Sequence, residues 1–248
     1  MITHYHRPQT LEDALALLEQ PATLPMGGGT VLNSPTYKNQ EFAVVDLQGL
    51  NLDEITQAGY TLEVGATATL QGLLECAHTP AALQQAIRQE SALNLRNMAT
   101  VAGSLAACDG RSPFATMMLA LDAKLTVISA ETATFNLVEY WALRPAGLIT
   151  RIEIPLNVAS VYEQVARTPA DRPIVAAGLS QWKSGRTRLA LGGYGKVPML
   201  AMDGTESDGL ESAARNTFHE AADQWASAEY RMDVAATLAK RCLAAVKE

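Results

Sequence analysis

Asn94-Leu95-Arg96-Asn97-Met98-Ala99-Thr100-Val101-Ala102-Gly103-Ser104 is a loop of small and hydroxylated residues bounded by apolar segments. About seventy residues upstream stands a companion, Met26-Gly27-Gly28-Gly29-Thr30-Val31-Leu32. Glycines after a strand let several backbone N–H groups turn toward one point, with no Cβ blocking a ligand. Phosphate is the usual guest, because it accepts several such bonds at once. Neither loop carries the Lys-Ser/Thr of a Walker A sequence, and neither has GxGxxG spacing. A lone glycine run is most often a plain turn. Two of them point to a ligand whose charged middle is held from both sides. On the residues alone the reading stops at a phosphate-containing ligand such as a dinucleotide. A third cluster, Gly192-Gly193-Tyr194-Gly195-Lys196, fails as a P-loop because Val197 follows the lysine and Ala190 stands where the first glycine belongs.

The chain has 248 residues, of which 48% are hydrophobic and 18% charged, enough for one large domain or two smaller ones. A net charge of −7 disfavours nucleic acid or an anionic membrane as the main partner. Cys76, Cys108 and Cys242 are scattered, with no CxxC pair, so neither a metal cluster on this chain nor a disulfide framework is expected. The start, Met1 to Pro8, lacks the apolar centre of a signal peptide. No apolar run approaches the roughly 20 residues that span a bilayer. The expectation is a cytoplasmic protein without a membrane span.

Local signals divide the chain. Thr10 caps a helix carrying Leu11, Ala14, Leu15 and Leu18, with Glu12 and Asp13 in its first turn. Thr23–Met26, Ala43–Leu47 and Thr61–Gly65 read as strands. Thr79-Pro80 and Ser112-Pro113 each read as a cap followed by proline at the first helical position. Lys124–Ile128 and Thr134–Val138 read as paired strands, and Leu148–Ile154 alternates until Pro155 ends it. Past residues 155–160 the texture changes to strands at Tyr162–Val165, Ile174–Leu179 and Thr187–Leu191. A long helix from Ser227 follows, with a stripe at Tyr230, Val234, Leu238, Cys242 and Val246.

Taken in order, these motifs resemble the FAD-binding medium subunit of the molybdenum hydroxylases, the family of carbon monoxide dehydrogenase and xanthine dehydrogenase. Tyr5-His6-Arg7-Pro8 with Leu11-Glu12-Asp13-Ala14 resembles the approach to the family's first helix. Gly27-Gly28-Gly29-Thr30-Val31-Leu32 resembles its AGGTDL loop, and Val64-Gly65-Ala66-Thr67-Ala68-Thr69-Leu70 its GAxxTL segment. Arg96 to Ala106 resembles its RNxATxGGNLA loop, and Ala120-Leu121-Asp122-Ala123 follows at the family's distance. Leu189-Ala190-Leu191-Gly192-Gly193 and Ser227-Ala228-Glu229-Tyr230-Arg231 resemble markers of its C-terminal domain.

The resemblance implies an α+β chain with a two-lobed FAD-binding domain of the vanillyl-alcohol-oxidase/PCMH type over residues 1–157, its lobes about 1–53 and 54–157. A smaller α+β C-terminal domain would cover 158–248. It implies FAD contacts at Gly27, Gly28, Gly29, Thr30, Val31, Asn97, Thr100, Val101, Ala102, Gly103, Ser104 and Asp109, with Leu148 and Ile149 near the isoalloxazine ring. It also implies an iron–sulfur small subunit and a molybdopterin large subunit as partners. Electrons would pass from molybdenum through [2Fe–2S] clusters to FAD and then to an acceptor. No side chain of this chain is expected to serve as acid, base or metal ligand, because the flavin carries the chemistry.

The chain departs from the family pattern at Ala102 and Ser104, where Gly and Asn are preferred, and at Gly110, where proline is common. Pro113 replaces an aspartate that in relatives hydrogen-bonds toward the flavin nucleotide. If position 102 needs a positive φ, alanine restricts it, and these departures predict weak FAD binding. A structural or assembly subunit with a degenerate flavin site is the alternative reading, and a stand-alone flavin oxidoreductase of the vanillyl-alcohol-oxidase superfamily is a third. His4, His6, His78 and His219 read as ordinary histidines, Cys108 as a buried inert thiol, and Met117 and Met118 as core. Arg167 to Arg172 reads equally as a solvated turn or as a contact to flavin or partner.

Overall fold

A computed structural model describes residues 1–247 as an α+β, two-domain fold. The first lobe holds β1 (Ile2–His6), α1 (Leu11–Leu18), β2 (Thr23–Met26) and β3 (Phe42–Asp46). Its strands form a parallel sheet in the order β1-β3-β2. Thr10 caps α1 as expected, its hydroxyl accepting from the Asp13 N–H at 3.2 Å. Ala14, Val45, Leu47 and Leu148 form a small core under this sheet.

The second lobe runs through β4 (Ile55–Ala58), β5 (Thr61–Gly65), α2 (Leu70–Glu75), α3 (Ala81–Glu90), α4 (Leu93–Arg96), α5 (Val101–Ala106) and α6 (Pro113–Ala120). It continues with β6 (Lys124–Ile128), β7 (Thr132–Asn136), α7 (Leu137–Leu143) and β8 (Leu148–Pro155). The strands make an antiparallel sheet in the order β4-β5-β8-β6-β7. The main core gathers Leu62, Val64, Leu83, Ile87, Leu105, Phe114, Met117, Met118, Ile152 and Ile154 against it. Two local expectations shift. Helix α3 starts at Ala81, because the Thr79 hydroxyl donates to Leu73 O at 2.6 Å instead of capping. The strand expected over Thr134–Val138 stops at Asn136. There a capping box, with Asn136 and Glu139 each accepting the other's backbone N–H, turns the chain into α7.

The last unit is the meander β9 (Val158–Val165), β10 (Val175–Trp182), β11 (Thr187–Gly192) and β12 (Met199–Gly204), with α8 (Leu210–Thr217) and α9 (Ala228–Val246). Side chains alternate across a strand, and β10 is buried on both faces. Val175, Ala177 and Leu179 join the core with α9, while Ala176 and Gly178 face α6. The α6 face is built from small residues because the helix lies against it: a Cβ on Gly178 would meet Ala120 Cβ at 3.0 Å. Helix α6 thus carries the main core up to the C-terminal sheet. The stripe on α9 holds at Val234, Leu238, Cys242 and Val246, which are in or against the core, and is broadened by buried Arg231, Ala235 and Ala239; Tyr230 is exposed.

Gly110 joins the units. A Cβ there would fall 1.9 Å from Tyr194 O, its N–H donates to Gly195 O at 3.0 Å, and its carbonyl accepts from Gly193 at 2.6 Å. Proline could neither donate that bond nor fit, which accounts for glycine at this departure from the family pattern.

Candidate functional site

A cleft of about 310 Å³ opens between the first lobe and the second. One wall is the end of β2 and the loop after it, from Leu24 to Leu32. The other is formed by Ala66, Thr67, Thr100, Ala102, Gly103, Ser104, Ala106 and Tyr140, with Leu47, Leu148 and Ile149 adding apolar surface. The structure brings together Gly27, Gly28, Gly29, Thr30, Val31, Thr100, Ala102, Gly103, Ser104, Leu148 and Ile149 around one space. Asn97, Val101 and Asp109 do not line it. Asn97 is exposed at the end of α4, and Val101 is in the core. Asp109 pairs with Arg172 at 2.6 Å and accepts from the Arg111 N–H at 2.8 Å.

The two glycine loops differ in what they can offer an anion. Among the described residues, the N–H groups of Gly27 to Leu32 donate to no protein acceptor. Asn33 holds this loop's shape, its N–H and its side-chain amide both reaching Gly29 O, at 3.1 and 3.0 Å. In the second loop the amides are engaged. Val101 N donates to Ala68 O at 2.8 Å, Ala102 N to Ala66 O at 3.3 Å, and Ser104 N to Thr100 O at 2.9 Å. Gly103 N donates to Thr100 Oγ1 at 3.2 Å. The nest is therefore the first loop, and the second contributes shape and the Ser104 hydroxyl. Sequence reasoning treated the two as equal, because small-residue content does not reveal which amides are already spoken for.

The loops also touch. A Cβ on Gly28 would lie 1.6 Å from Met98 O. Ala102 sits in the first turn of α5 and is absent from the residues with positive φ, so alanine costs nothing in backbone strain there. The lining includes no Lys, Arg, His, Asp or Glu. An uncharged, partly apolar cleft with unpaired amides at one side fits a dinucleotide whose phosphates lie on the first loop and whose ring meets the apolar wall.

Pro113 is buried at the start of α6, away from the cleft. Ser112 caps that helix through the Ala115 N–H at 3.0 Å, as expected. The carboxylate at this helix end comes from Glu90, which accepts from Ser112 Oγ at 2.7 Å and from Phe114 N at 3.0 Å. Burial holds the Glu90 carboxyl above its ordinary range, against the lowering effect of those two bonds. Pro113→Asp would bury a second carboxylate beside the first. It is expected to cost about 2 kcal/mol of stability and to leave FAD affinity within about twofold, as read by urea unfolding and flavin titration. A tenfold gain in affinity would return position 113 to the flavin site.

Neighbouring features have structural roles. Burial pushes the Cys108 thiol up to about 12, which keeps it protonated and unreactive. Arg167 and Arg111 sandwich the Trp225 ring at 4.6 and 4.8 Å, and Arg111 also donates to the carbonyls of Pro173 and Arg172. The Arg167–Arg172 turn is thereby pinned to the segment after Cys108. The aromatic residues in the cleft, Tyr37 and Tyr140, were missed from sequence because neither lies in a motif.

Comparisons with known proteins show the family. Residues 1–157 match the family described as FAD binding domain in molybdopterin dehydrogenase. The uncharacterized protein YgfM of Escherichia coli is 28% identical over 246 residues, covering 96% of this chain and 94% of its own. The carbon monoxide dehydrogenase medium chain of Afipia carboxidovorans is 27% identical over 278 residues, covering 98% and 96%. Quinoline 2-oxidoreductase from Pseudomonas putida shares the fold, with a TM-score of 0.82 at 21% identity over 98% of this chain and 96% of that one. The chain belongs to the molybdopterin dehydrogenase family as an FAD-binding medium subunit.

Proposed function

We propose that this chain is the electron-transfer flavoprotein of a cytoplasmic molybdenum-containing complex. It would take electrons from the [2Fe–2S] clusters of a small subunit, which are filled from a molybdopterin large subunit, and hand them to a terminal acceptor. The observation that carries the proposal is the set of unpaired amides at Gly27–Leu32, on residues that line an uncharged cleft. FAD bound there would supply reversible electron uptake. Gly27 to Val31 would hold the pyrophosphate, with Ser104 opposite. Ala102 and Gly103 would set the width of the cleft through their lack of bulk. Leu148 and Ile149 would keep water from the ring. The matched span supports residues 1–157 as the flavin domain, and residues 158–248 are read as its C-terminal companion.

The assembly-subunit reading drew on Ala102 and Pro113. The first adopts ordinary helical backbone and the second lies outside the cleft, so neither favours it. Titrating purified protein with FAD is expected to give a flavin absorbance at one FAD per chain and a rise in melting temperature. Neither change at saturating FAD would refute the flavoprotein function. Co-purification with an iron–sulfur chain and a large molybdopterin chain tests the partners.

A further inference from the structure

The apolar surface of the cleft comes from Leu47, Leu148 and Ile149. Set beside them is a hydroxyl. Thr67 is only 5% exposed and lines the cleft, yet its side chain bonds to no protein group among the described residues. Its oxygen is not sealed in, as the unpartnered Ser180 Oγ is. The little exposure it has therefore opens into the cleft. Backbone bonds fix this position between the two segments that carry the apolar residues. Thr67 N donates to Leu52 O at 2.8 Å, just past the turn Leu47–Leu50. The preceding Ala66 N donates to Thr150 O at 3.1 Å, next to Ile149. Those two segments meet, because Leu47 and Leu148 share one small core. The other buried threonine of this wall, Thr100, is already engaged, its hydroxyl accepting from Gly103 N at 3.2 Å. Position 67 is also one that the GAxxTL pattern leaves open.

We propose that Thr67 is a positioning residue for the flavin ring: its hydroxyl bonds the polar edge of the ring and fixes its orientation against the apolar wall. This rests on FAD occupying the cleft as proposed above. Apolar burial holds a flat ring through area and has no direction. Orientation comes from a few placed polar groups. The edge of the isoalloxazine carries nitrogens and carbonyls, and a hydroxyl can donate or accept. Thr67 can therefore bond that edge in the oxidised and in the reduced ring. A ring that covered this hydroxyl without bonding it would leave a buried polar group unpaired, which disfavours the other orientations. The phosphates have their donors in the Gly27–Leu32 amides, which leaves the Thr67 hydroxyl for the ring.

The test uses the full chain with FAD, as wild type, Thr67→Val and Thr67→Ser. Valine keeps the shape without the hydroxyl, and serine keeps the hydroxyl. Fluorescence titration reads affinity, and visible circular dichroism of the bound flavin reads how the ring is held. Thr67→Val is expected to bind FAD about tenfold more weakly and to change the visible dichroism. Thr67→Ser is expected to restore the dichroism and to bind within about threefold of wild type. Wild-type affinity and dichroism in Thr67→Val would overturn the inference. So would weaker binding with unchanged dichroism, which would place the hydroxyl at the nucleotide half. A change that Thr67→Ser does not reverse would assign the effect to packing and overturn it as well. Wild-type protein that binds no FAD refutes the flavin function itself, and is seen before any variant is made.

Discussion

Gly28→Ala is expected to abolish tight FAD binding and to destabilise the apoprotein by about 2–3 kcal/mol, the range of a forced overpacking. The added methyl would sit 1.6 Å from Met98 O and 2.5 Å from Met98 C. Those atoms are fixed. Ala99 N donates to Leu95 O at 2.7 Å, Ala99 O accepts from Leu70 N at 2.9 Å, and Val101 N donates to Ala68 O at 2.8 Å. The strain would fall instead on the Gly27–Leu32 loop, whose ties are bonds to its carbonyls, from Asn33 to Gly29 O, from Ser34 N to Val31 O at 2.9 Å and from Gln48 Nε2 to Gly27 O at 3.5 Å. Pushing this loop outward separates the cleft walls and misdirects the amides proposed to hold the phosphates. Urea unfolding of the apoprotein and fluorescence titration with FAD read the two effects. Wild-type values for both would mean that the loops do not meet at Gly28.

The same contact explains which parts of the site were legible in the sequence. The glycine loops were found because composition is local, and Thr10 and Ser112 were found as caps because a cap and its helix are adjacent. The reason for the glycines was not legible. Gly28 is small because of Met98, and Gly110 because of Tyr194, some seventy and eighty residues away along the chain. Ala102 was read as an obstacle because a loop motif gives no backbone angles, whereas the observed turn of α5 tolerates any small residue. Pro113 was read as a lost flavin contact because a residue's place in a motif does not say which way it faces. The Asn136–Glu139 box was present in the sequence, but the β-branched and aromatic run of Thr132 to Phe135 carried the strand assignment too far. For the glycines and for Pro113 the missing information was the partner surface.

Arg231 is the strongest instance, and its removal carries the largest expected loss of stability. It was legible only as part of the Ser227–Arg231 marker. In the structure it stands in the first turn of α9 with its side chain wholly buried. Nε donates to Ile174 O at 3.2 Å, Nη1 to Ala221 O at 2.6 Å and Ala226 O at 3.0 Å, and Nη2 to Asp223 Oδ1 at 2.8 Å. The guanidinium also lies 5.2 Å from the centre of the Tyr194 ring. Arg231→Met keeps the bulk but strands these carbonyls and the Asp223 carboxylate, which is expected to cost about 3–5 kcal/mol. The loss should be pH-dependent. Burial alone would raise the Asp223 carboxyl, but the bonds from Arg231 and from the Trp225 and Ala226 N–H groups overcome it and hold the group below its ordinary value. A depressed carboxyl stabilises the fold above its unfolded pKa, and that stability is lost as pH falls through the folded value. Wild type should therefore weaken in acid more steeply than Arg231→Met, and the two unfolding curves should converge as pH drops. The cofactor cleft lies elsewhere, so folded Arg231→Met should bind FAD within about threefold of wild type. Parallel stability–pH curves would show that the Arg231–Asp223 pair does not carry this energy.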